Sequence, residues 1–357
     1  MRTGIANLPL HYGKAPRWLF QRMKELARLI TIFVISEYGP EEMLQKLSDP
    51  FWFQALGCVL GFDWHSSGIT ITVCGALKEG IKGIEKDLGL FVAGGKGGTS
   101  RKTPSEIEQV GTYLNQDPSK LIYASKMVAK VDSSALQDGY QLYHHCFFFS
   151  KNGLWTVVQQ GMNTSTRYAR RYHWLGREVK DFVCEPHSAI CCDKKGKPLN
   201  MIAQKSKKAR EVTTLLAKEK PEGLIAKIKK LQNLNLPAHH QVLARDINPE
   251  RLNKIFLTTY DKQPKNFEEL LGIRGVGPKT IRALSLISEL IYGTAPSFND
   301  PVRYSFAHGG KDGHPYPVDR KNYDLSINIL KKAINASKIE QSEKIKAIKR
   351  LHNFYPA

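Results

Sequence analysis

The stretch FEELLGIRGVGPKTIRALSLISELIYG, residues 267–293, places three helix signals and a glycine turn in fixed order. Asn266 is positioned to cap a short helix with Glu269 at its third residue, and Leu270 and Leu271 close that helix before Gly272. Gly275 and Gly277 then permit positive φ and a close approach of backbone to a partner. Pro278 suits the first position of a second helix, where its missing N–H costs nothing. Ile281, Leu284, Ile287, Leu290 and Ile291 give that helix one apolar face, and Gly293 supplies its stop. The expected unit is helix, glycine hairpin, helix, over residues 266–293.

Such a unit leaves backbone N–H groups unpaired at the start of the second helix, where the helix dipole also favours an anion. Lys279, Thr280 and Arg282 sit on its first turn. Phosphate is therefore the expected ligand of Gly275, Val276, Gly277, Lys279, Thr280 and Arg282. The stretch resembles the helix-hairpin-helix motif of DNA-repair proteins, whose hydrophobic-x-Gly-hydrophobic-Gly core is matched by Ile273, Gly275, Val276 and Gly277. That resemblance implies sequence-independent binding of the DNA backbone.

The net charge agrees with a polyanionic partner. Among 357 residues, 53 are Lys or Arg and 33 are Asp or Glu, a formal charge of +20. Attraction to phosphates is long-ranged and independent of base sequence, so DNA is the expected partner. The start of the chain lacks the apolar core and cleavage site of a secretion signal, and the apolar stretch 29–35 is too short to span a bilayer. Six scattered cysteines form no disulfide framework, and a cytoplasmic protein with reduced thiols is expected.

Residues 16–37 carry helical spacing at Leu19, Met23, Leu26, Ile30 and Phe33, residues 40–47 predict a second helix, and the Thr/Ile/Val alternation of 68–77 predicts a strand. Thr103-Pro104-Ser105-Glu106 reads as a helix start, with Glu106 placed to close a capping box. The segment YQLYHHCFFFSKNGLWTVVQQGM predicts a β-hairpin turning at Lys151-Asn152-Gly153, and Phe147, Phe148 and Phe149 imply cover on both faces of its first strand. Between residues 194 and 230 there are twelve Lys or Arg and three Glu, read as a loop and solvated helix. Helical signals dominate afterwards, including Asn248-Pro249 as a helix start and the segments after Tyr323 and Ser337. The predicted architecture is an α+β N-terminal domain with a central antiparallel hairpin or sheet, residues 1–205, followed by an all-α helix-hairpin-helix domain, residues 206–357.

The chain also resembles a mostly archaeal family, the domain of unknown function 763, through GGKGGTSRKTPSEI, LQDGYQLYHH, WTVVQQGMN, ARRYHWL and PVRYSFAHGGKDGHPYPVD. The family name brings little biochemistry, so the chemistry is sought in the residues. Residues 94–104, GGKGGTSRKTP, lack the Gly-Lys-Ser/Thr ending of a P-loop, so no nucleotide cofactor is expected. Lys96, Arg101 and Lys102 beside a glycine loop suit a second phosphate contact. Arg170 and Arg171 alternate with Tyr168, Tyr172 and Trp174, either to hold phosphates and stack bases or as an amphipathic helix with aromatics inward.

Asp132, Asp138, Gln141, His144 and His145 cluster before and within the hairpin, opposite Gln159 and Gln160. Many nucleases hold Mg²⁺ or Mn²⁺ on carboxylates from two neighbouring strands with a lysine beside them. The second strand here offers Gln159-Gln160-Gly161-Met162, with neither carboxylate nor lysine. Adjacent histidines in a strand point to opposite faces, so at most one of His144 and His145 joins a given site. The expected catalytic set is Asp138, His144, His145 and Gln160, cutting phosphodiesters with Mg²⁺ or Mn²⁺. Cys184, His187 and Cys191 are a further candidate set for zinc.

The segment FAHGGKDGHPYPVDR carries His308, Asp312, His314 and Asp319. In DNA glycosylases that share the helix-hairpin-helix, a lysine opening the second hairpin helix attacks the sugar and an aspartate follows in a Val-Asp motif. Lys279 and Asp319 resemble that pair, although they stand 40 residues apart, about twice the spacing the resemblance implies, and no cysteines follow for an iron–sulfur cluster. Three functions are thus open: a structure-selective DNA nuclease, a glycosylase or lyase using Lys279 and Asp319, and a non-enzymatic DNA-binding adaptor.

Overall fold

A computed structural model describes residues 15–62, 66–192, 195–231, 249–302 and 320–336, with four positions between 345 and 349. Asn248, Ser337, His308, Asp312, His314 and Asp319 lie outside the described residues.

The centre is one antiparallel sheet of five strands in the order β1-β3-β4-β5-β6: β1 Leu90–Lys96, β3 Gln141–Ser150, β4 Trp155–Asn163, β5 Tyr168–Leu175 and β6 Ala189–Cys191. A second, two-stranded sheet pairs β2 Leu136–Gln137 with β7 Leu199–Asn200. The β3–β4 hairpin turns where Lys151-Asn152-Gly153 predicts it, with Phe149 opposite Trp155 and Gly153 at φ 84°. Alternation then assigns every side chain to a face. Phe147 and Phe149 enter one apolar core while Phe148 enters the other, and all three are buried. Burying each such ring stabilises the fold by roughly 1.5–3 kcal/mol.

Helices cover both faces, giving three layers. On the first lie α1 Arg17–Tyr38, α2 Pro40–Ser48, α3 Pro50–Val59 and α4 Gly68–Gly80; the short α5 Glu85–Leu88 leads into β1. Predicted and observed limits of α1 and α2 agree closely. The strand expected over 68–77 is instead α4: Ile69, Thr70, Val73, Cys74, Ala76 and Leu77 are buried at helical spacing. Local β propensity yields there to packing against α1 and α3. Gly80 lets α4 cross α1 closely, since a Cβ there would stand 2.7 Å from the Lys24 carbonyl.

The second face carries α6 Thr103–Gln109, α7 Pro118–Lys130, α8 Lys207–Leu216, α9 Pro221–Leu231, α10 Pro249–Lys262, α11 Phe267–Gly272 and α12 Pro278–Leu290. The last helix, α13 Arg320–Ala336, returns to the first layer beside α1. The named elements described after residue 206 are helices, and Ser297 adds an isolated bridge to Asn200. One apolar cluster nevertheless joins Phe147 and Tyr172 of the sheet to Ala209, Leu224, Phe256 and Leu284, so position 205 marks a change of secondary structure within a shared core. Residues 168–175 form a strand, β5, which corrects the amphipathic helix considered for them. Glu106 closes no capping box; its carboxylate accepts from the Gly94 N–H at 2.6 Å and from Lys78 Nζ at 2.7 Å, tying α6 to β1 and α4.

Candidate functional site

A cleft of about 680 Å³ opens between α7, the Leu142–His145 stretch of β3 with Gln159 of β4, and Gly272 at the end of α11. Its floor is a series of hydrogen bonds that begins at Asp132, two residues past the end of α7. The buried Asp132 carboxylate accepts from Trp174 Nε1 at 2.9 Å, from His187 Nε2 at 2.5 Å and from Gln159 Nε2 at 2.5 Å. The Val128 carbonyl takes a longer bond from the same Gln159 nitrogen, at 3.5 Å. Two acceptors on the NH₂ side orient the amide, leaving Gln159 Oε1 to face His145 Nδ1 at 2.7 Å. An amide oxygen can only accept, so Nδ1 carries the proton and Nε2 keeps its lone pair. That lone pair receives the Ser125 hydroxyl at 2.9 Å. Burial holds the pKa of His145 down, against the opposing pull of Gln159 and Asp132.

The rim is basic. Arg101 and Lys126 line the cleft on exposed positions, and Lys130 lines it half-buried, its pKa lowered by burial. Lys130 Nζ donates to the Val276 carbonyl, fixing the glycine turn beside the cleft. Gln137 adds a second clasp: its Nε2 donates to the Pro278 carbonyl at 2.9 Å while its Oε1 accepts from Arg282 Nε at 2.7 Å. Asn266 accepts from the Glu269 N–H at 2.8 Å, Gly275 sits at φ 95°, and no side chain caps the start of α12 at Gly277. Gly275 and Lys279 are exposed, whereas Val276 and Thr280 are buried and present no side chain to a ligand.

Other residues expected at the site are dispersed. Asp138 is buried and committed: its Oδ2 accepts from Arg170 at 2.9 Å and from the Tyr172 hydroxyl at 2.7 Å. Gln160 points to the opposite face, accepting from Thr70 Oγ1 at 2.5 Å and donating to the Ser67 carbonyl at 2.9 Å. His144 faces that same side, away from His145, as strand alternation requires. The expected set Asp138, His144, His145 and Gln160 is therefore corrected: of the four, His145 alone belongs to the hydrogen-bonded series.

Arg170 and Arg171, expected on phosphate, are interior. Arg170 bridges Asp138 and Asp300, and Arg171 reaches Gln54 Oε1 at 3.2 Å beneath the Phe53 ring. Burial of 99% or more withdraws both from any DNA backbone. Lys96 and Lys102 are exposed, flanking or ending the 3₁₀ turn Gly97–Lys102. Cys184, His187 and Cys191 do not gather: Cys184 donates to Gln204 Oε1, His187 serves Asp132, and Cys191 lies in the core of the other face. Among the described residues the one group of three metal-ligand side chains is Cys74, His144 and Cys146. Its sulfur and imidazole donors differ from the oxygens that suit Mg²⁺. Ser125 gave no sequence signal, because its partner lies 20 residues away on another element.

Fold and site together define a three-layer α/β/α protein with a basic cleft on one face of its sheet. The chain belongs to the family described as protein of unknown function (DUF763), whose sequence model matches residues 4–318. Among curated proteins and solved structures nothing matches it. Among the described residues, no helix is long and apolar enough to cross a membrane.

Proposed function

We propose that this protein binds DNA and hydrolyses its phosphodiester bonds at the cleft floored by Ser125 and His145. The supporting observation is the series Asp132–Gln159–His145–Ser125, which fixes a histidine lone pair on a serine hydroxyl in a cleft edged by Arg101, Lys126 and Lys130. A nucleophile, a base that orients it and a third group that orients the base form the general pattern of nucleophilic catalysis. In this reading Ser125 Oγ attacks phosphorus, its proton passes to His145 Nε2, and one DNA hydroxyl leaves with that proton. Water then hydrolyses the phosphoserine. Arg101 and Lys126 offset charge growing on the phosphoryl oxygens. The glycine turn of residues 273–277, held beside the cleft by Lys130, grips the neighbouring backbone.

The test uses end-labelled duplex, single-stranded and branched DNA, each with Mg²⁺, with Mn²⁺ and with chelator. Cleavage is expected, slowed by about 10² or more in His145→Ala. No cleavage of any substrate, or an unchanged rate in His145→Ala, overturns the proposal. Salt-sensitive binding without cleavage would leave the adaptor function, and a borohydride-trapped adduct on abasic DNA that vanishes in Lys279→Ala would move the chemistry to Lys279.

A further inference from the structure

On the opposite face of β3 lies a second constellation, whose His144 borders the cleft as well. His144 and Cys146 are two residues apart on that strand, so both point into the first layer, where Cys74 of α4 meets them. Their ligand atoms all lie within 4.8 Å of one another. The two thiols are in hydrogen-bond contact, and burial pushes the Cys74 thiol well up. Exposure is 2% for His144 and 1% for each cysteine.

His144 is the telling member. Neither ring nitrogen has a hydrogen-bond partner although both are buried. A buried polar atom left unpaired forfeits its hydration with nothing in return, so an imidazole with two such atoms asks for a ligand. Burial, His145 and Lys96 depress its pKa to about 3, so the ring is neutral. It borders a cavity of about 800 Å³ that Cys74, Cys146, Lys78 and Lys96 also line.

We propose that Cys74, His144 and Cys146 bind a zinc ion, with its fourth position turned to this cavity. Two sulfurs and an imidazole are a donor set zinc favours over magnesium. Bonds of about 2.3 Å to sulfur and about 2.0 Å to nitrogen place tetrahedral ligands roughly 3.5–3.8 Å apart, so the group closes by about an ångström on a common ion. Charge balances as well. Each thiol gives up its proton, and two thiolates neutralise Zn²⁺, so no net charge is buried near the Arg171 guanidinium. Three protein ligands with one position open is the arrangement of catalytic rather than purely structural zinc.

The full-length protein, purified under reducing conditions and stripped by chelator, is titrated with Zn²⁺ and separately with Co²⁺. Uptake of one ion per chain is expected, with release of two protons, a near-ultraviolet thiolate-to-cobalt band and visible absorption of tetrahedral strength. Zinc content should fall to background in Cys74→Ser, Cys146→Ser and His144→Ala, and stay at one per chain in Cys184→Ser. The cobalt spectrum of the unsubstituted protein answers the question even where a core variant fails to fold. Absence of a thiolate–cobalt band, or full zinc retention in a folded Cys146→Ser, overturns the site. DNA cleavage plays no part in this measurement, so the two proposals fail separately.

Discussion

Arg170→Met tests whether this arginine holds the fold or touches DNA. Its guanidinium donates to Asp138 at 2.9 Å and to Asp300 at 2.8 Å, with side-chain exposures of 1% for Arg170, 1% for Asp138 and 4% for Asp300. Removing one partner of a buried ion pair costs about 3–5 kcal/mol, chiefly because the other charge stays buried and uncompensated. Here one cation serves two carboxylates, so a loss at the top of that range is expected. The loss should also depend on pH. Burial already raises the Asp138 carboxyl above the usual range, while Arg170 and the Tyr172 hydroxyl pull it back. Without Arg170 the folded-state value climbs further above the unfolded value of about 3.9, so the folded state binds more protons than the unfolded state. Stability then declines as pH rises between those two values, and the variant recovers part of its deficit as pH is lowered from 8 to 5.

Urea midpoints followed by tryptophan fluorescence at pH 8 and pH 5, for both proteins, measure the effect. Arg170→Met/Asp138→Asn should recover stability at pH 8, since an asparagine oxygen still accepts from Tyr172 and one uncompensated charge is gone. A midpoint equal to that of the unsubstituted protein, or a deficit independent of pH, would refute the reasoning. A phosphate contact would show the reverse pattern: weaker DNA binding at unchanged stability.

Two glycines with positive φ should behave differently. Gly94→Ala forces a Cβ to within 2.3 Å of the His145 carbonyl and 2.6 Å of Thr103 Oγ1 at φ 88°, so thermal unfolding should show a loss beyond about 3 kcal/mol or failure to fold. Gly275→Ala meets nothing closer than Ile255 at 3.7 Å, and only its φ of 95° is strained, so about 1 kcal/mol is expected. Lys279→Ala, on an exposed residue, should leave the melting temperature unchanged, weaken duplex binding equally across sequences and reduce the slope of log affinity against log salt by about 1.

The glycine turn was legible because each signal in it is local. Asn266 caps the third residue of its own helix, Gly275 takes the positive φ that its lack of a Cβ permits, and Pro278 opens α12. The β3–β4 hairpin and the opposed histidines were legible for a similar reason: Asn-Gly sets the turn, and a strand's period of two sends His144 and His145 to different faces. α4 was misread because a Thr/Ile/Val run favours a strand when taken alone, whereas the surfaces of α1 and α3 select the helix.

What the sequence by itself determined is therefore the content of short windows, in turns, caps and strand alternation, together with a formal charge of +20. Tertiary structure decided which side chains meet. It turned Arg170 and Arg171 from surface cations into interior ones, set Asp132 behind Gln159 and His145 to orient Ser125, and brought Cys74 across to His144 and Cys146 from 70 residues away. Those contacts depend on how two helical layers close on one sheet, and periodicity within a segment carries no record of that closure.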